Sequence, residues 1–245
     1  MFEKGGLPPF FNEAISQIVK KGETMGSKQY RAFGKSVLSV SWFYGVKLIG
    51  GYLITLLTQN PNTFLKMHGQ LYTLLIYGVI FIGIYGTSKD QEVFHQALKG
   101  QSLKVECREV GLYIAMGIGV YVASLGINHL FYRFFTDYAQ IQEGFSAYEP
   151  ILRFLAMVVA PALVEEYLFR FKIQNWMKEG FGVEIAIVGQ ALLFGMVHTY
   201  RLQQIYAVLC GICFGIVREK KGLKATLWMH LTVNAIGWTV GSFWA

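Results

Sequence analysis

The sequence predicts an all-α fold: a polytopic transmembrane helical bundle of about seven spans, with an interfacial helix at its N-terminus. Three observations lead there. Of 245 residues, 53% are hydrophobic and only 15% are charged. A soluble domain carries roughly 25% charge, so this chain lacks the polar residues needed to coat a water-facing globule. Apolar stretches near the 20 or so residues that cross a hydrocarbon core recur along the chain, and basic residues collect in alternate loops between them. Together these exclude a cytosolic enzyme, a disordered chain and a coiled coil.

The predicted elements run as follows. Residues 1–35 form a cytoplasmic segment in which Phe10, Phe11, Ala14, Ile15, Ile18 and Val19 fall at helical spacing, with Glu13, Gln17, Lys20 and Lys21 on other faces. This pattern reads as an amphipathic helix lying on the inner leaflet. The segment is too polar and basic for a cleavable signal peptide, so the first span is expected to act as an uncleaved anchor. Residues 36–245 form the transmembrane domain, with spans at 36–58, 69–86, 110–134, 151–174, 184–199, 202–217 and 223–244. The fifth and sixth are short and separated only by Thr199, Tyr200 and Arg201, which predicts a tight helical hairpin.

The net charge of +7 is read through its placement. Lys4, Lys20, Lys21, Lys28, Arg31 and Lys35 precede the first span, and Lys89, Lys99, Lys104 and Arg108 lie between the second and third. Lys172 and Lys178 follow the fourth, while Arg218, Lys220, Lys221 and Lys224 follow the sixth. The opposite loops hold Lys66, Arg201 and the acids Asp137, Glu143 and Glu149. The positive-inside rule then puts the N-terminus in the cytoplasm and the C-terminus outside, in a plasma membrane expected to be bacterial. The lipid bilayer is the expected partner of this charge, and nucleic acid is not. Cys107, Cys210 and Cys213 make no disulfide framework. The Cys210-x-x-Cys213 pair sits in an apolar run and reads as small thiols packed between helices.

Ionisable groups inside a span are costly unless paired or hydrated, so each marks a functional hypothesis. Lys47 lies in the first span and reads as a structural or cavity-lining residue. Glu165, Glu166 and Arg170 lie in the fourth, within PALVEEYLFRF; His198 lies in the fifth, within LLFGMVH; His230 and Asn234 lie in the seventh, within WMHLTVNA. Glu166 and Arg170 are four apart and share a helix face, as an ion pair requires. Glu165 is turned about 100° from its neighbour and is free to face a cavity as the reactive carboxylate, suited to a general base. Phe194 and His198 have the same four-residue spacing, as do His230 and Asn234. At a rise of about 1.5 Å per residue, Glu165, His198 and His230 lie roughly 15, 20 and 10 Å from the cytoplasmic ends of their spans. A shared site near mid-membrane follows.

Glu165-Glu166-x-x-x-Arg170, Phe194-x-x-x-His198 and His230-x-x-x-Asn234 resemble the three motifs of the CPBP intramembrane proteases, which include the CAAX prenyl endopeptidase and the bacterial Abi proteins. The resemblance covers a protease-like core at about 150–240. It implies that Glu165 activates the attacking water with His198, that His230 and Asn234 stabilise the oxyanion, and that Glu166, Arg170 and Phe194 support the site. It also leaves a metal open, because the family has been described both as metalloproteases and as metal-free glutamate enzymes. The chain has no His-Glu-x-x-His. Glu165, His198 and His230 would still supply three zinc ligands with an open fourth position. The metal-free version, with His230 and Asn234 as donors to developing negative charge, is preferred.

The expected function is an intramembrane endopeptidase acting on a membrane-associated peptide or protein. The alternative is a non-catalytic immunity or regulatory partner that keeps the protease fold. A proton-coupled transporter, a third reading, predicts internal repeats that the sequence does not show.

Overall fold

The computed structural model describes residues 26–86, 91–99, 103–131 and 150–243. The predicted interfacial helix around Phe10–Val19 lies outside them. Every element among the described residues is helical. Helix α1 is Ser27–Leu57, α2 is Pro61–Gly86, α3 is Gln91–Leu98 and α4 is Leu103–Phe131. A continuous helical rod, α5, occupies 150–181. It is followed by α6 (Val183–Met196), α7 (Arg201–Lys221) and α8 (Leu223–Phe243).

Each of the seven predicted spans falls on one of these helices, with shifted limits. The first begins nine residues early, since Ser27–Leu57 takes in residues assigned to the cytoplasmic segment. The second begins at Pro61, where proline's missing N–H and fixed φ suit the first helical turn. There the Asn60 side chain accepts the Thr63 N–H at 3.1 Å. The short α3 was not predicted. Among the described residues, four helical stretches qualify as membrane crossings by length and hydropathy: Ser27–Leu57, His68–Tyr85, Glu106–Ile127 and Arg201–Lys221. Helix α6, at 14 residues, measures about 21 Å and falls short of a hydrocarbon core of about 30 Å. Rods α5 and α8 carry the acids, imidazole and amide singled out above, and those groups lower their hydropathy.

Helix α5 is not a regular α-helix. Its Pro150–Phe154 turn leads into a π-helical stretch, Leu155–Val159, then α-helix at Ala160–Glu165, a second π stretch at Glu166–Ile173 and α-helix again to Phe181. Pro161 explains the first interruption. Its ring removes a backbone donor and crowds the preceding turn, and the widened turn, with Ala160 N–H donating to Leu155 O, relieves that crowding. Wide turns of this kind concentrate at functional sites, and here they flank Glu165.

Small residues set the packing around α5. A Cβ on Gly211 of α7 would stand 2.9 Å from Ala191 Cα of α6, so those backbones touch, as small residues permit between membrane helices. Two buried amides hold α7 from both neighbours: Gln190 Nε2 of α6 donates to Gly211 O at 2.7 Å, and Gln174 Nε2 of α5 to Gly215 O at 3.0 Å. Gly117 brings α4 equally close to α8, 2.9 Å from Met229 O by the same measure. Gly182 and Gly222, at φ 88° and 87°, are the single-residue links from α5 to α6 and from α7 to α8. The outer surface keeps large apolar side chains exposed, Leu48, Leu57, Leu75 and Ile82 among them, as a lipid-facing surface should. The all-helical membrane bundle predicted from composition is thus the architecture observed.

Candidate active site

A cavity of about 240 Å³ opens among α1, α2, α5, α7, α8 and the turn after α6. Lys47, Tyr77, Glu165, Phe194, His198, His230 and Asn234 all line it. Six of the sequence-predicted residues are therefore brought together here, and Tyr77 is a seventh that the sequence did not mark.

Glu165 stands where the central α-helical stretch of α5 gives way to the second π stretch. Only 5% exposed, its carboxylate accepts the Tyr77 hydroxyl at Oε1, 2.7 Å away. The other oxygen, Oε2, lies 3.7 Å from His230 Nε2. A buried carboxylate needs such partners, since leaving it without them costs several kcal/mol or more. Tyr77 is itself seated by Phe43 of α1, edge to face at 6.1 Å.

Glu166 points elsewhere. Its Oε1 lies 3.3 Å from Arg170 Nη1 and accepts from His230 Nδ1 at 2.8 Å. The Arg170 guanidinium is wholly buried and stacks over two rings, Phe194 at 4.1 Å and Phe214 at 5.1 Å, where ring faces attract a cation. Phe194 also meets Phe169, His198 and His230 edge on, at 5.1, 4.9 and 6.0 Å. One phenyl ring thus supports the arginine and both imidazoles.

His198 differs from its predicted setting. Helix α6 ends at Met196, so His198 sits on the turn between α6 and α7 rather than within a span. That turn is pinned from three sides. Tyr44 donates its hydroxyl to Met196 O, Lys47 Nζ donates to Val197 O at 3.4 Å, and Gln204 Nε2 to His198 O at 2.8 Å. The imidazole Nδ1 lies 2.8 Å from Phe194 O. A carbonyl only accepts, so Nδ1 carries the proton and Nε2 keeps its lone pair, a tautomer fixed by the backbone. Lys47 both lines the cavity and holds its wall.

Asn234, one helical turn beyond His230 on α8, is half-buried on the cavity lining. Cys210 is buried on the same wall, while Cys213 is exposed on another face. As to a metal, no three His, Cys, Asp or Glu side chains among the described residues are grouped to hold one. Glu165 and His230 approach each other, but His198 does not complete a ligand set with them, so the zinc arrangement left open by sequence does not fit this geometry.

Residues 147–236 match the family model of Rce1-like proteins, described as type II CAAX prenyl endopeptidase Rce1-like. Neither the curated proteins nor the solved structures gave a match. Glu165, Glu166, Arg170, Phe194, His198, His230 and Asn234 all lie inside the matched stretch, whereas Lys47 and Tyr77 reach the cavity from outside it. The C-terminal region that supplies the paired glutamates, both cavity histidines and Asn234 is thus similar to the CPBP/CAAX protease family.

Proposed function

We propose that the chain is an intramembrane endopeptidase that hydrolyses a peptide bond of a membrane-associated peptide or protein. The observation that carries this reading is the Glu165 carboxylate, held by Tyr77 and facing a cavity that His198, His230 and Asn234 also line. In this reading a water in the cavity gives its proton to Glu165, assisted by the lone pair on His198 Nε2, and attacks the scissile carbonyl. Proton acceptors placed within reach of a nucleophile contribute about 10²–10⁴-fold. The Asn234 amide then donates to the oxyanion, and His230 donates from Nε2 as the imidazolium whose Nδ1–H is held by Glu166, a task worth about 3–4 kcal/mol per donor in a dry site. The proton on Glu165 passes to the leaving amine as the tetrahedral intermediate collapses. Glu166 and Arg170 touch no substrate; they fix the His230 ring through Nδ1.

The same reading gives the chain seven crossings. Its basic loops, the N-terminus among them, lie on the cytoplasmic side. Mass spectrometry of membrane peptides incubated with the reconstituted chain tests the activity. Defined fragments with the wild-type chain, absent with Glu165→Gln, are expected. Fragments that persist at the same rate in Glu165→Gln overturn the glutamate mechanism, and an inert wild type across such peptides overturns the peptidase reading.

A further inference from the structure

A second polar cavity, of about 340 Å³, lies where the start of α1 meets the end of α5. Lys28, Arg31, Ala32, Lys35, Trp176 and Glu179 line it. Its depth follows from length. Helix α1 has 31 residues, about 46 Å at 1.5 Å per residue, against a hydrocarbon core of about 30 Å. The overhang, about ten residues on the same rise, is the polar end with Lys28, Arg31 and Lys35, since exposed leucines continue to Leu57 at the other. Tyr30 and Phe33 are exposed on this first stretch, as aromatic side chains commonly are at headgroup level.

The three cations recur at helical spacing and share a face. Among the described residues none of them is ion-paired. Arg31 is braced on its own helix, donating from Nε to Ser27 O at 3.2 Å and from Nη2 to Ser27 Oγ at 3.4 Å. Lys35 lies over the Trp176 ring, 5.5 Å from its centroid. The floor is built: a Cβ on Gly180 would stand 2.9 Å from Ala32 Cβ and 3.2 Å from Gln29 Cα, so α1 and α5 meet backbone to backbone beneath the cations. A fixed pocket with unpaired cations in excess calls for an anion, and planar guanidinium with ammonium is the donor set that takes phosphate. Glu179, the acid of the lining, adds an acceptor for hydroxyl donors.

We propose that this cavity binds the phosphodiester headgroup of an anionic membrane lipid that also carries free hydroxyls, as phosphatidylglycerol does. A soluble phosphate offers the same oxygens, but the pocket sits at headgroup depth. The proposal rests on α1 and α5 alone and stands apart from the peptidase reading.

Native mass spectrometry of the full chain, released from bilayers of phosphatidylcholine with or without phosphatidylglycerol, tests it. A phosphatidylglycerol adduct that survives delipidation is expected. Combining Lys28→Gln, Arg31→Gln and Lys35→Gln should reduce its occupancy about tenfold, since each such charge contributes modestly at an anionic surface. A control combining Lys99→Gln, Lys220→Gln and Lys221→Gln should keep the adduct. Equal loss in both variants, or adducts of equal strength with phosphatidylcholine, overturns the site. Inorganic phosphate that stabilises the detergent-purified chain as well as the lipid does overturns the lipid assignment. Single Arg31→Gln and Lys35→Gln variants, checked for a wild-type melting profile, separate lost binding from lost folding.

Discussion

The Tyr77 hydroxyl donates to Glu165 Oε1 at 2.7 Å, so a helix outside the family-matched stretch orients the carboxylate that faces the cavity. Tyr77→Phe removes that donor and keeps the ring against Phe43. A hydrogen bond to a charged group contributes about 1.5–3 kcal/mol, so kcat for peptide cleavage should fall roughly ten- to a hundredfold with KM little changed. Steady-state kinetics on a cleaved peptide checks this, and a wild-type kcat in Tyr77→Phe would show that Glu165 is oriented by something else.

Arg170 should be the most sensitive position for stability. It is fully buried, 3.3 Å from Glu166 and stacked on Phe194 and Phe214. Arg170→Met leaves the Glu166 charge buried without its partner, a change that costs about 3–5 kcal/mol. Arg170→Lys should not restore the loss, because an ammonium lacks the flat surface that lies between two rings. Chemical unfolding in detergent micelles measures both, and near-wild-type stability in Arg170→Met would contradict the pairing.

Gly211→Val should loosen the hairpin of α6 and α7. Its new Cβ would stand 2.9 Å from backbone and side chain of Ala191, and overpacking of this kind costs about 1–3 kcal/mol. Thermal melts of the two variants check this: the midpoint of Gly45→Ala, where nothing stands within 4 Å of an added Cβ, should move far less.

Chelation should leave cleavage intact. No group of three ligating side chains is assembled among the described residues, and His198 spends Nδ1 on Phe194 O. Activity within about twofold after dialysis against chelator is expected, because the steps derived above use only protein donors and acceptors. Full loss with chelator, restored by zinc alone, would require the site to rearrange into the ligand set of Glu165, His198 and His230.

How much of this was legible beforehand depended on contrast. Glu165, Glu166, Arg170, His198, His230 and Asn234 stood out because charged and amide groups are rare in apolar runs, and Lys47 did for the same reason. Tyr77 did not, being one of 14 tyrosines in a chain where a tyrosine within a span usually reads as packing or an interfacial anchor. Its role depends on which helix comes to rest beside α5, and periodicity carries no such information. The helix limits slipped where polar ends extend beyond the bilayer, as at Ser27–Ser36. His198 was placed in a helix because LLFGMVH is apolar up to its last residue, whereas the backbone turns at Val197. The fourth span, 151–174, reads from sequence as one unbroken helix through Pro161, and the pattern does not mark the widened turns.

Those widened turns carry one more consequence. Each fits an additional amino acid into a rod that would otherwise be evenly wound, and the one at Leu155–Val159 lies ahead of Glu165. Deleting one residue within it would restore even winding and leave the downstream register nearly unchanged, whereas deleting one between Ala160 and Val164, where the winding is already regular, would swing Glu165 by about 100°. The base would then face lipid or a neighbouring helix. Shortening the regular stretch of this rod by one is thus a change the chain should tolerate less well than many substitutions in its core.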